Sequence, residues 1–177
     1  MKLTAIISVI IIALTQSGCR RVEPGSVAAP QPTKGVPMSY EVEKSEQQWR
    51  EDLTRDQYNV LREGGTEKPF TGKYYKFFED GVYKCGACGE ELFYSKDKFD
   101  SGCGWPAFAQ PTQRENIEER IDKSHGMVRT EIRCAKCGSH LGHVFTDGPA
   151  PTGLRYCVNS AALEFNAMIG TEKKEEK

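Results

Sequence analysis

The chain has 177 residues, 38% of them hydrophobic and 28% charged, with a formal net charge of −1. That length suits one globular domain plus an appendage and is too short for a second full core. Acids and bases are mixed along the chain without a basic patch, so a nucleic-acid partner is not expected, and a single apolar run excludes a polytopic membrane protein.

That run opens the chain. In "MKLTAIISVIIIALTQSGC", Lys2 precedes an almost wholly apolar stretch from Leu3 to Leu14, and small residues lead into Cys19. Twelve helical residues would span roughly 18 Å, short of the ~30 Å hydrocarbon core, so residues 1–18 are expected to be a signal peptide. The ending "QSGC" resembles a bacterial lipoprotein processing site, with cleavage before Cys19 and acylation of its sulfur. Gln16 stands where an aliphatic residue is usual. The expected location is the cell envelope or periplasm, with a lipid on Cys19 contacting the membrane; an unlipidated exported protein and an uncleaved anchor are the alternatives. Residues 19–39 carry Pro24, Pro30, Pro32 and Pro37 and read as an extended tether. The closing residues 171–177, "TEKKEEK", read as a solvated tail.

The folded domain is expected over residues 40–170. Ser45 and Thr54 are candidate N-caps of two short helices, the second carrying Tyr58 and Leu61 on one face and stopping at Gly64. The aromatic and glycine-rich stretch that follows predicts strands from near Lys73. "ENIEERID" and "MVRTEIRC" alternate in polarity and are joined by a turn from Asp122 to Gly126, which predicts a hairpin. In the second strand Ile132 and Cys134 share one face, and Arg129, Glu131 and Arg133 the other. The pattern as a whole predicts an α+β, mostly β domain: a small antiparallel sheet or partial barrel with helices at its N-terminal end.

Two motifs of the same form, "KCGACGEEL" and "RCAKCGSHL", carry Cys85, Cys88, Cys134 and Cys137. Each aims two thiolates at one point about 2.3 Å away, and together they complete a tetrahedron around one structural zinc ion. Redox-active CxxC pairs or disulfides are the alternatives that export would favour.

Cys103 and Cys157 remain. Cys103, in "FDSGCGWPAF", lies between Gly102 and Gly104 on what reads as a mobile loop. Cys157, in "LRYCVNS", falls on a predicted strand whose one face carries Arg155, Cys157 and Asn159. A guanidinium beside a thiol stabilises the thiolate, which is the nucleophile. Upstream lies "HLGHVFTDGP", with His140, His143 and Phe145, and with Asp147 placed to orient a histidine or to pair with Arg155. Histidines, an amide and a guanidinium around a thiol can polarise an oxygen and deliver a proton to it. An ordinary structural disulfide between Cys103 and Cys157 is the strongest competing reading, and a lone buried cysteine is more often plain packing.

"FDSGCGWPAF", "HLGHVFTDGP" and "LRYCVNSAALEF", framed by the two CxxC motifs, resemble the peptide methionine sulfoxide reductase B family over roughly Glu43 to Ile169. The resemblance implies two small antiparallel sheets and a structural zinc on Cys85, Cys88, Cys134 and Cys137. It implies Cys157 as nucleophile and Cys103 as resolving cysteine. Trp105 and Phe145 would bind the substrate, while His140, His143, Asn159, Arg155 and Asp147 organise the site. The implied substrate is the R epimer of methionine sulfoxide in proteins, and the implied reductant is a thioredoxin-like dithiol. A monomer is expected. A zinc-stabilised binding module, or a thiol oxidoreductase acting on other substrates, are the rival functions.

Overall fold

The computed structural model describes residues 39–168. The leader, Cys19, nearly all of the tether and the charged tail lie outside them. Helices α1 (Glu46–Asp52) and α2 (Arg55–Leu61) begin where the caps predict. Ser45 and Thr54 each accept from the backbone N–H three residues on, and Gln48 and Gln57 reach back to the cap N–H, so both starts are capping boxes. Helices this short are marginal alone and are held by what they bury: Trp49 from α1, and Tyr58, Val60 and Leu61 from α2. No helix among the described residues is long and apolar enough to cross a membrane.

Strands do not start near Lys73. Residues 66–80 form turns, and the first strand, β1, is Gly81–Cys85. The aromatics that suggested a strand enter the core from these turns instead: Tyr74 is buried, and Phe77 packs edge-on against Phe165 at 4.7 Å. β1 is the centre of a three-stranded antiparallel sheet, between β2 (Glu91–Tyr94) and β9 (Leu163–Ala167). A second sheet has six strands in the order β3-β4-β8-β7-β6-β5. These are β3 (Lys98–Phe99), β4 (Ala107–Phe108), β5 (Ile117–Asp122), β6 (Arg129–Cys134), β7 (His140–Phe145) and β8 (Arg155–Val158). The fold is therefore mostly β, in two antiparallel sheets with helices at the N-terminal end, and β5 and β6 form the predicted hairpin.

An aromatic stack joins the sheets. Phe93 of β2 lies flat on Phe108 of β4 at 4.4 Å, and Tyr83 of β1 meets the same ring edge-on at 5.0 Å. Each such ring, fully buried, is worth roughly 2–3 kcal/mol against exposure. In β8, Tyr156 and Val158 point into this core, which turns Arg155 and Cys157 to the other face.

Candidate active site and metal centre

The four CxxC cysteines sit at corresponding places in the two sheets. Cys85 ends β1 and Cys134 ends β6; Cys88 and Cys137 follow in tight turns. In each turn a glycine with positive φ, Gly89 or Gly138, donates its N–H to the carbonyl of the first cysteine at 2.8 Å. All four sulfurs lie within 4.8 Å of one another, with Cys85 to Cys137 at 3.7 Å and Cys88 to Cys134 at 3.6 Å. Four thiolates held about 2.3 Å from one tetrahedral ion stand about 3.8 Å apart, so the spacing fits a metal. Contact with Cys134 pushes the Cys85 thiol well above its ordinary range, and contact with Cys137 raises Cys134. Four thiolates this close need a cation between them. These four residues can hold a metal ion, and it would tie one sheet to the other.

The second sulfur site lies at a cleft of about 320 Å³ lined by Trp105, His140, His143, Phe145, Cys157 and Asn159, among others. The strand register puts His143 of β7 directly opposite Cys157 of β8. The strands come unusually close at Gly142, where a Cβ would stand 2.0 Å from the Cys157 carbonyl oxygen. Any other residue there would push β7 away from the reactive strand. Trp105 is held by its indole N–H, which donates to the Glu67 carbonyl at 3.2 Å. The Glu67 carboxylate accepts in turn from the backbone N–H groups of Ser160 and Ala161, at 2.7 and 2.9 Å.

Cys103 Sγ is 3.7 Å from Cys157 Sγ and is not part of the cleft lining. The predicted mobile loop is in fact fastened. Gly104 has φ 96°, its carbonyl accepts from Phe70 N–H at 2.7 Å, and a Cβ there would meet Pro69 at 2.8 Å. The flanking glycines serve a left-handed, closely packed backbone. A disulfide needs about 2.05 Å between sulfurs, so the pair can close by a shift of about 2 Å without the loop swinging in from a distance.

A family model for the SelR domain matches residues 53–167. A protein of Hahella chejuensis named peptide methionine sulfoxide reductase MsrB is 61% identical over 135 residues, covering 76% of this chain and 97% of its own length. Proteins of the same name from Agrobacterium fabrum and a Synechococcus strain are 58% and 62% identical, over 72% and 70% of this chain and 94% and 91% of theirs.

The chain belongs to the peptide methionine sulfoxide reductase B family.

In this member of the family the two thiols perturb each other more than anything else does. The Cys157 thiol, followed by the Ser101 hydroxyl at 3.0 Å, holds a charge on Cys103 and brings it down to about 5. Contact with Cys103 and burial push Cys157 up, against the pull of Arg155. Arg155 favours the Cys157 thiolate as expected, but contact between the two thiols acts the other way there and favours the anion on Cys103. Both sulfurs feel the guanidinium of Arg155, so the charge is stabilised on whichever sulfur holds it.

The remaining candidates divide. Asp147 orients neither histidine; it takes Arg155 in a bidentate pair at 2.9 and 2.9 Å, and Arg155 lies over the Phe145 ring at 4.4 Å. Asn159 falls just past the end of β8 rather than on its face. It is buried, donates to the Leu141 carbonyl and accepts from Thr66 Oγ1 and Glu67 N–H, so it braces the cleft floor. The carboxylates that hold the histidines escaped the sequence reading. Glu131 bonds His140 Nδ1 at 2.7 Å, and Asp122 bonds His143 Nε2 at 2.9 Å. The available signal was the polar face of "RTEIR", on the strand beside "HLGH", and the Asp at the hairpin turn one strand further out. Glu67 also escaped, because nothing local ties it to Trp105.

Proposed function

We propose that the protein is a peptide-methionine (R)-S-oxide reductase in which Cys157 is the nucleophile and Cys103 the resolving thiol. The observation that carries the assignment is the division of the pair: Cys157 lines the cleft with Trp105, Phe145, His140 and His143, whereas Cys103, 3.7 Å away, is outside that lining.

The chemistry follows from that arrangement. The proton exchanged between the thiols leaves the charge on Cys157 as substrate enters. Its sulfur attacks the sulfoxide sulfur, the oxygen is protonated by a cleft histidine, and methionine departs as oxygen passes to Cys157. The resulting sulfenic acid condenses with the Cys103 thiol, releasing water and forming the disulfide. A thioredoxin-like dithiol then reduces that disulfide by exchange and becomes oxidised itself. Trp105 and Phe145 offer apolar faces for the substrate's thioether end, and an open cleft suits a methionine sulfoxide within a polypeptide.

The tetrad fits zinc by ligand type and spacing, and Cys85, Cys88, Cys134 and Cys137 would hold it as a closed structural site. Its contribution is to the fold, because all four ligands are protein thiolates and no position is left for substrate. The lipoprotein-like leader supports an exported protein anchored through Cys19. Loss of membrane association in Cys19→Ala would bear this out, and unchanged fractionation would refute it.

A single-turnover assay on the reduced protein, with separated R and S epimers of a methionine sulfoxide derivative and no added reductant, tests the function. About one methionine per chain from the R epimer only, with a new Cys103–Cys157 disulfide by mass mapping, is expected. No methionine from either epimer, with metal bound and the fold intact, overturns the reading and favours a binding module.

A further inference from the structure

Three histidines line the cleft, and two of them, His140 and His143, are backed by a carboxylate, each carboxylate in turn by an arginine. Glu131 Oε1 contacts His140 Nδ1 at 2.7 Å and accepts from Arg133 Nε at 2.9 Å. Arg133 also donates to the Gly138 carbonyl in the second cysteine turn at 3.0 Å. Asp122 Oδ2 contacts His143 Nε2 at 2.9 Å and accepts from Arg129 at 2.6 Å, while Asp122 Oδ1 takes the Ser124 N–H at 2.8 Å. Both carboxylates come from the β5–β6 hairpin. Because Ile132 and Cys134 turn into the core, strand alternation sends Arg129, Glu131 and Arg133 to the cleft face, beside the histidines of β7. All four of these carboxylates and imidazoles line the cleft.

We propose that Glu131 and Asp122 are positioning residues that fix the two histidines in opposite tautomers, leaving His140 Nε2 and His143 Nδ1 as the open nitrogens, which accept in the resting protein and hand a proton to the departing oxygen only after taking one up. This rests on the reading of the cleft as the site of sulfoxide reduction. A neutral imidazole has one N–H, and an ionised carboxylate only accepts, so the ring nitrogen that faces the carboxylate carries the proton. The other nitrogen is then the one open to a ligand. Among the described residues neither His140 Nε2 nor His143 Nδ1 has a protein partner.

Both carboxylates are held ionised. Hydrogen bonds from Ser124, followed by His143 and Arg129, take Asp122 well below the usual carboxylate range. Burial pushes Glu131 up, but His140 and Arg133 outweigh it and leave its carboxyl lowered. Burial holds His143 below an ordinary histidine, against the opposite pull of Asp122 and with the help of Arg129 and His140. The charged and titratable groups around the two rings are these carboxylates, the arginines behind them, each other at 5.7 Å, Cys157 across the β7–β8 pairing, and His125 in the same cleft lining. His143 therefore stays a neutral ring whose Nδ1 accepts. A proton taken up from water at an open ring nitrogen is what would pass to the departing oxygen, while the carboxylate keeps the ring's other N–H in place. Which nitrogen is open on each ring is set by which one its carboxylate claims.

Long-range 1H–15N correlation spectra of the metal-loaded full-length protein, reduced and at neutral pH, read the tautomers directly. The expected result is His140 protonated at Nδ1 and His143 at Nε2. Glu131→Gln is expected to mix the tautomers of His140 alone, and Asp122→Asn those of His143 alone. Each is expected to slow single-turnover methionine formation by on the order of 10-fold or more with sulfoxide affinity little changed, and Glu131→Asp to recover part of the rate. The opposite tautomer at either ring in the unaltered protein overturns the proposal, as do variants that keep both tautomers and the full rate. Should the unaltered protein form no methionine, the reductase reading fails by itself, while the spectra still decide the positioning.

Discussion

The protein has two sets of cysteines with nearly the same spacing and different uses. Sulfurs lie 3.6 and 3.7 Å apart within the tetrad and 3.7 Å apart in the Cys103–Cys157 pair. Distance alone does not separate a metal clip from a redox couple. What differs is number and surroundings. The tetrad sets four thiols around one point, two from each sheet, three of them buried and none lining the cleft. The pair has only two thiols, opens on one side to a cleft with histidines and aromatics, and is fed by one guanidinium. Four converging thiolates need a cation. Two thiols can share one proton, which on the proposed function would leave one sulfur free to act as the nucleophile.

The comparison is tested most severely by removing the metal. Structural sites of this kind bind with on the order of 10 kcal/mol, comparable with the whole stability of a domain this size. Strong chelation under mild denaturant, or Cys134→Ser, is therefore expected to abolish cooperative unfolding by circular dichroism and to release one zinc per chain. A metal-free protein with the same melting temperature would show that the aromatic stack holds the sheets together unaided.

The pair should behave in the opposite manner. Cys157→Ser is expected to reduce methionine formation by about 10³-fold or more, while the folding free energy changes by about 1 kcal/mol or less. Cys103→Ser should still release one methionine per chain, leave a sulfenic acid on Cys157 that dimedone traps, and lose turnover with a thioredoxin-like reductant. Normal coupled turnover in that variant would remove Cys103 from the resolving role.

A smaller effect reads the shared anion. Alkylation of Cys103 by iodoacetamide is expected to fall with a midpoint near 5 as pH drops. In Cys157→Ala the thiol that donates to the Cys103 thiolate is gone, so the midpoint should rise toward the ordinary thiol range near 9. The sign follows from the cause: losing a donor to the thiolate disfavours the anion and raises its pKa. An unmoved midpoint would assign the perturbation to Ser101 and Arg155 instead. The smallest effect is expected from Asp147→Asn. Its carboxylate is 64% exposed, and Arg155 keeps its stacking on Phe145, so activity should change by no more than about threefold, in line with surface pairs.

Local chemistry in the chain was enough for several features. Ser45 and Thr54 announce helix starts because a cap needs only the three residues that follow it. The CxxC turns announce a metal clip because both thiolates of each turn come from one short segment. The β5–β6 hairpin shows in its alternation. Where aromatic content alone was used, between Lys73 and Asp80, it misled: rings were needed in the core, and turns delivered them as well as a strand would. The glycines around Cys103 likewise suggested motion, when the backbone needed left-handed angles and a close approach to Pro69.

The sequence by itself singled out four cysteines that can hold a metal ion and a second pair proposed as the reactive thiols, since residue type and short spacing carry thiol and metal chemistry directly. Only the tertiary structure decided who serves them. Strand order placed β6 beside β7 with β5 on its far side, and so gave His140 to Glu131 of β6 and His143 to Asp122 at the end of β5, while Asp147, much nearer in sequence, went to Arg155. It set Cys103 beside Cys157 but outside the cleft lining, to which Cys157 belongs. The physical reason is range. Caps, knuckles and turns are satisfied within a few residues, but a hydrogen bond between strands depends on register and sheet order, which the packing of the whole core selects.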